Sequence, residues 1–146
     1  MKTFHEQLDA RRIENAIAAA ERQSSGELRV VIHREAVADP VATARAEFAR
    51  LEMFKTRHRN AVLILVAPAS HKFAIFGDDA IHTKCGQAFW DDVTAAMTNH
   101  FKEGMFTDGL VHAIERAGNL LAKHFPRQPD DKNELPDDVI DRGTVI

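Results

Sequence analysis

Ala61-Val62-Leu63-Ile64-Leu65-Val66-Ala67-Pro68-Ala69-Ser70-His71-Lys72-Phe73-Ala74-Ile75-Phe76-Gly77-Asp78-Asp79 decides the fold. Residues 61–67 are apolar without interruption. A run that short suits a strand covered on both faces and is far below the roughly 20 residues that cross a membrane. Pro68-Ala69-Ser70-His71 reads as a turn, and residues 72–76 return as an antiparallel partner, so the two runs form a hairpin.

Upstream, residues 27–33 alternate, with Leu28, Val30 and Ile32 on one face of a further strand. About 18 residues of helical pattern separate it from 61–67, opened by Asp39-Pro40 and running to about His58. Proline at the first helical position forfeits no hydrogen bond, and a helical crossover of this length favours a parallel strand pair. Val41, Ala44, Phe48, Leu51 and one of Met53 or Phe54 are expected to face inward. An earlier helix covers residues 8–23, capped by Asp9 and stopped at Ser24-Ser25-Gly26. Two more follow, near residues 86–102 and from Asp108 onward, the latter with Leu110, Ile114, Ala117 and Leu121 at spacings of four, three and four. The expected fold is α/β: a small mixed sheet sandwiched between helices, α/β/α, with a parallel first pair plus the antiparallel hairpin. Residues 1–126 form a single domain in this reading, and 127–146 an acidic, extended tail that serves as a docking strap or flexible contact segment.

Composition narrows the function. The 146 residues are enough for one domain that folds without a disulfide or structural metal. Cys85 is the only cysteine, which excludes an internal disulfide and a multi-cysteine zinc site. Its position before a helix start can lower a thiol pKa, but no neighbour supports nucleophilic use, and packing is its expected role. The eight histidines include no His-Glu-x-x-His frame. Residues 1–126 hold 16 basic and 16 acidic side chains, and residues 127–146 three and six, so the tail carries the net charge of −3. No basic surplus points to a nucleic-acid partner. Met1-Lys2-Thr3-Phe4-His5-Glu6 offers no signal-peptide run, and a cytoplasmic protein without direct membrane insertion is expected.

The parallel pair and the hairpin bring three distant segments to one rim of the sheet: Ser25-Gly26-Glu27, Arg59-Asn60 and Gly77-Asp78-Asp79. Asp78 and Asp79 repel one another if they converge, and a divalent cation relieves that repulsion. Glu27 and Asn60 add oxygen ligands, so Glu27, Asn60, Asp78 and Asp79 are the candidate metal ligands for a hard ion, Ca²⁺ or Mg²⁺. Adjacent strand residues point to opposite faces, so the two aspartates converge only if the chain turns after Gly77. The plainer reading is a solvated turn that caps the next segment. Arg59 matches phosphate, and with Asp78 as nucleophile or metal ligand the two are the candidate catalytic residues for a phosphomonoester. The competing reading is an Arg59–Asp78 salt bridge that pins the rim. His58 is a candidate general acid or base there, or a solvated loop residue. No phosphate-binding glycine loop is present, and no organic cofactor is expected.

The ordered set Ser25-Gly26-Glu27-Leu28, Arg59-Asn60-Ala61-Val62-Leu63-Ile64 and Phe73-Ala74-Ile75-Phe76-Gly77-Asp78 resembles the TPM domain family. That family is named for a thylakoid-lumen protein, a photosystem repair protein and an acetylcholine-receptor auxiliary protein. The likeness continues through Phe89-Trp90, Phe101-Lys102, Gly104, Phe106, Gly109-Leu110 and His124-Phe125-Pro126, covering nearly all of residues 7–126. Asp131-Lys132-Asn133-Glu134-Leu135-Pro136-Asp137 is similar to the end of short members without a membrane anchor. One departure is Ala61, where the family usually has glycine. The resemblance implies a mixed sheet between helices. It also implies acid-phosphatase-like activity in some members and divalent-metal binding, chiefly calcium, in others. The expected partner is therefore a phosphorylated small molecule or a protein. The alternative function is a non-catalytic interaction module in membrane-associated maintenance.

Overall fold

Strands β1 (Glu27–His33) and β2 (Ala61–Ala67) run parallel, with Glu27 opposite Ala61 and Ile32 opposite Val66. Strand β3 (Lys72–Gly77) runs back along β2, Ala67 against Lys72 and Val62 against Gly77. The computed structural model that gives this arrangement describes residues 7–56, 58–127 and the backbone of 139–142. The mixed sheet expected from the sequence is therefore present, with β1 and β2 at the expected bounds. A short 3₁₀ turn (Pro68–Ser70) closes the hairpin, and His71 leaves it in the left-handed region.

The sheet has one strand more than the sequence suggested. β4 (Val139–Arg142) lies parallel to β1 on its free edge, Val30 opposite Val139 and His33 opposite Arg142, giving the order β3-β2-β1-β4. Val139-Ile140-Asp141-Arg142 sets two apolar residues before two charged ones rather than alternating, and the edge of β1 supplies what the segment's own pattern lacks.

Helix α1 (Ala10–Arg22) starts where Asp9 accepts the Arg12 amide at 3.1 Å, and it buries Ile13 and Ile17 completely. Helix α2 (Pro40–Arg50) starts at the expected cap, Asp39, which accepts the amides of Val41 and Ala42. It ends well short of His58. Glu52 adopts a left-handed backbone and a 3₁₀ turn (Met53–Lys55) follows, which drops Met53 into the core and leaves Phe54 outside. Val41 also departs from expectation: Ala44 and Phe48 are buried, but Val41 in the first turn is 49% exposed.

Helix α3 (Asp79–Lys102) begins seven residues before the expected start at Gly86. Gly86 does mark a kink, at φ 75°, so the sequence located the second limb and missed the first. Helix α4 (Phe106–His124) buries Leu110, Ile114, Ala117 and Leu121 as predicted.

The strands divide two cores between them. Leu28, Val30, Ile32, Val62, Ile64 and Val66 face α1, α3 and α4. Val31, Ala61, Leu63 and Leu65 face the other way, towards Phe48 of α2 and Met53. All seven β2 residues are buried, each large one stabilising the fold by roughly 1.5–3 kcal/mol relative to exposure. No helix among the described residues is long and apolar enough to cross a membrane.

Candidate functional site

The strand-to-helix turn after β3 is set by Gly77. A Cβ at that position would lie 2.9 Å from Ile81 Cγ2 and 3.0 Å from Trp90 Cζ2, so a side chain there would push α3 off the strand end. Asp78 follows in an extended conformation. Its amide donates to the Ala61 carbonyl at 2.9 Å, and its Oδ1 accepts the Asp79 amide at 2.8 Å. Asp78 is thus the N-cap of α3, and a carboxylate there also complements the partial positive charge of the helix start. The chain does turn after Gly77, which is the condition for the two aspartates to meet.

What they meet is Arg59. Its Nε lies 2.8 Å from Asp78 Oδ2 and its Nη2 2.9 Å from Asp78 Oδ1, a bidentate fork. The same Nη2 stands 3.5 Å from Asp79 Oδ2. The hydrogen bond and charge of Asp78 raise the Arg59 pKa further above its ordinary value. Asp78 is 3% exposed, whereas the Asp79 side chain is 90% exposed and that of Arg59 about half. Arg59 holds this pose from a left-handed backbone position, φ 53°, which is uncommon for a non-glycine residue. Its carbonyl accepts the Ala80 amide, fastening the loop to α3 a second time.

The other rim segments join through Asn60, which is wholly buried and donates Nδ2 to Ser25 Oγ at 3.1 Å. Its Oδ1 is buried without a partner among the described residues. Ser24 Oγ accepts the Gly26 amide, and Glu21 of α1 accepts the Leu28 amide at 2.9 Å, so the start of β1 is pinned from two sides.

Of the residues singled out from sequence, Arg59, Asp78 and Asp79 form one corner. Glu27 is 1% exposed, and strand alternation puts it on the α2 face with Val31. Among the described residues, no three of His, Cys, Asp and Glu are grouped to hold a metal, so Glu27 does not complete a three-carboxylate set with the aspartates. His58 is exposed. With both oxygens clasped by Arg59, Asp78 has no carboxylate oxygen free for the nucleophilic role considered for it. Cys85 lies within α3, not before it, and packs against the core; burial raises its pKa.

Sequence reasoning missed several buried polar side chains. Arg29 is 7% exposed, Glu47 8% and Thr56 5%. The signal was available in β1: if Leu28 faces one covered side of the sheet, Glu27 and Arg29 face the other covered side.

The sequence profile of the TPM domain matches residues 3–120. The chain belongs to the TPM domain family. As a TPM domain it is similar to the BA42 protein of the psychrophilic bacterium Bizionia argentinensis, whose structure was determined by NMR. The two are 39% identical and superpose with a TM-score of 0.85 over 97% of this chain and 99% of the other. No curated protein matches this TPM domain.

Proposed function

We propose that this TPM domain binds a divalent cation, Ca²⁺ or Mg²⁺, at the corner formed by Asp78 and Asp79, where the ion competes with the Arg59 guanidinium. One observation carries the reading. A single nitrogen, Arg59 Nη2, lies within 3.5 Å of an oxygen from each aspartate, so both carboxylates already converge on one positive charge. Asp79 is open to solvent and supplies the entry point. Two carboxylates with water completing the shell suit a weak site, on the order of 10⁻⁴–10⁻³ M for calcium.

Phosphomonoester hydrolysis is a further step on the same corner. A guanidinium released from Asp78 would hold phosphate beside the ion. The clasped state of Asp78 argues for cation binding as the primary role and for hydrolysis as a slow accompaniment.

The test is a titration with CaCl₂ or MgCl₂ followed by amide chemical shifts. Saturable shifts at Asn60, Asp79 and Ala80 are expected at millimolar ion. Asp79→Asn should weaken them several-fold. Arg59→Asn, which tolerates the left-handed backbone, should strengthen them by removing the competitor. Shifts that stay linear and scattered, or an Arg59→Asn variant that binds more weakly, defeat the proposal.

A further inference from the structure

At the opposite end of β2 from the aspartate corner, roughly 20 Å along the strand, a cavity of about 380 Å³ opens between the sheet and the α3–α4 junction. It sits at the carboxyl end of β2, where open α/β sheets commonly take their ligands. Its volume is at the lower end of the small-molecule range.

The back wall is aromatic and fixed. Phe101 is held edge-to-face by Phe73 on one side and by Phe106 on the other, with ring centroids 5.3 Å apart in both pairs. Gly109 makes this possible, since a Cβ there would lie 2.8 Å from Phe101 Cε1. Phe73, Phe101 and Phe106 are only half-buried, so the arrangement keeps apolar ring surface in reach of solvent. Among the described residues, no carboxylate lines the cavity. Two lysines do, but the ammonium of Lys72 is already bonded to the Ala38 carbonyl at 2.9 Å. Lys102 is exposed and its ammonium has no partner among the described residues. His71, held left-handed at the hairpin tip, stands at the mouth. The free ammonium of Lys102 beside a rigid aromatic wall, with the Lys72 charge nearby, matches an anion with a compact apolar body. The volume disfavours a long-chain lipid.

We propose that this cavity binds a small carboxylic acid carrying one aromatic ring or a short aliphatic body, with the body against Phe73, Phe101 and Phe106 and the carboxylate on Lys102. The site is separate from the aspartate corner, and neither proposal depends on the other.

4-Phenylbutyrate is the probe, added to the full chain and followed by amide chemical shifts. Saturable shifts at Ala67, His71, Phe73 and Phe106 are expected, with Arg59 and Asp79 unmoved and a Kd on the order of 1 mM or tighter. Lys102→Glu should weaken the acid by about tenfold or more, while 4-phenylbutan-1-ol, which lacks the charge, binds both proteins alike. Lys102 is exposed, so the variant's amide pattern elsewhere should match the parent and confirm its fold. Scattered or unsaturable shifts overturn the site, and an unchanged Kd in Lys102→Glu overturns the carboxylate assignment. Movement of the same amides with protein concentration alone would mean that a second copy covers the cavity, which also overturns the proposal.

Discussion

Arg59 grips Asp78 through both ends of its fork while Asp78 caps helix α3, so one buried carboxylate closes the loop before β2 and opens the helix after β3. The two duties separate by mutation. Asp78→Asn keeps an acceptor for the Asp79 amide but gives up the charge that Arg59 holds. Asp78→Ala gives up both, and the cap alone is worth about 0.5–2 kcal/mol. Urea unfolding followed by Trp90, the single tryptophan, should rank the native protein above Asp78→Asn and that above Asp78→Ala. Equal stability of the two variants would show that capping contributes nothing here.

Gly77→Ala tests the contact that sets the turn. The added methyl group meets Ile81 Cγ2 and the Trp90 ring at about van der Waals overlap. Both neighbours are buried, and overpacking of this kind costs roughly 1–3 kcal/mol. Ile81→Ala alone leaves a cavity and destabilises the protein by about 2–5 kcal/mol. Combined, the two changes should cost less than their sum, because the second makes room for the first. Strict additivity would place the strain of Gly77→Ala elsewhere.

How much of this was legible depended on whether a residue's neighbours lay within its own pattern. β2 was readable to the residue because seven apolar positions in a row have one economical explanation. β1 followed from alternation, and the parallel pairing from the length of its crossover. The rim followed in turn, since topology alone gathers residues 25–27, 59–60 and 77–79. Less was visible where tertiary contacts decide. Nothing at position 59 announces a left-handed backbone, because the usual signals are glycine or asparagine and here the residue is arginine. The first limb of α3 was hidden because Gly86 reads as a helix start and residues 79–85 show no apolar repeat. Val41 has helical spacing to Ala44 and Phe48, yet the first turn of α2 carries it into solvent. Arg59–Asp78 was anticipated as a pair; its coincidence with a helix cap was one reading among several.

Cys85 yields a prediction in pH. Its thiol is half-buried, and desolvation raises its pKa above the ordinary value of 9.0. The thiolate is the form that reacts, so iodoacetamide should alkylate the native protein more slowly than the urea-unfolded chain at the same mildly alkaline pH. The linkage has a definite sign. The native state holds the proton more tightly, so the associated stability is fully present below the unfolded pKa and is lost as pH rises through the folded one. Cys85→Ala should therefore flatten the alkaline limb of the stability curve. An equal alkylation rate in native and unfolded protein would remove the basis for this expectation.

Strand β4 is the part of the chain whose contribution is easiest to isolate. Among the described residues it pairs only with β1, from Val30 opposite Val139 to His33 opposite Arg142, while the other edge of β1 is committed to β2. In an extended strand successive amides point to opposite edges, so every second amide among residues 30–33 faces β4. Deleting residues 139–146 should speed hydrogen exchange at those amides and leave their neighbours, bonded to β2, protected. The hydrophobic cores described above lie in α1–α4, β1–β3 and the 3₁₀ turn at Met53, so the fold should survive with a modest loss of thermal stability. The uncovered edge of β1 would then present unpaired backbone groups, a template for a second chain. Sedimentation of the truncated protein should accordingly become concentration-dependent. Unchanged exchange across residues 30–33 would show that the pairing with β4 does not protect the edge of the sheet in solution.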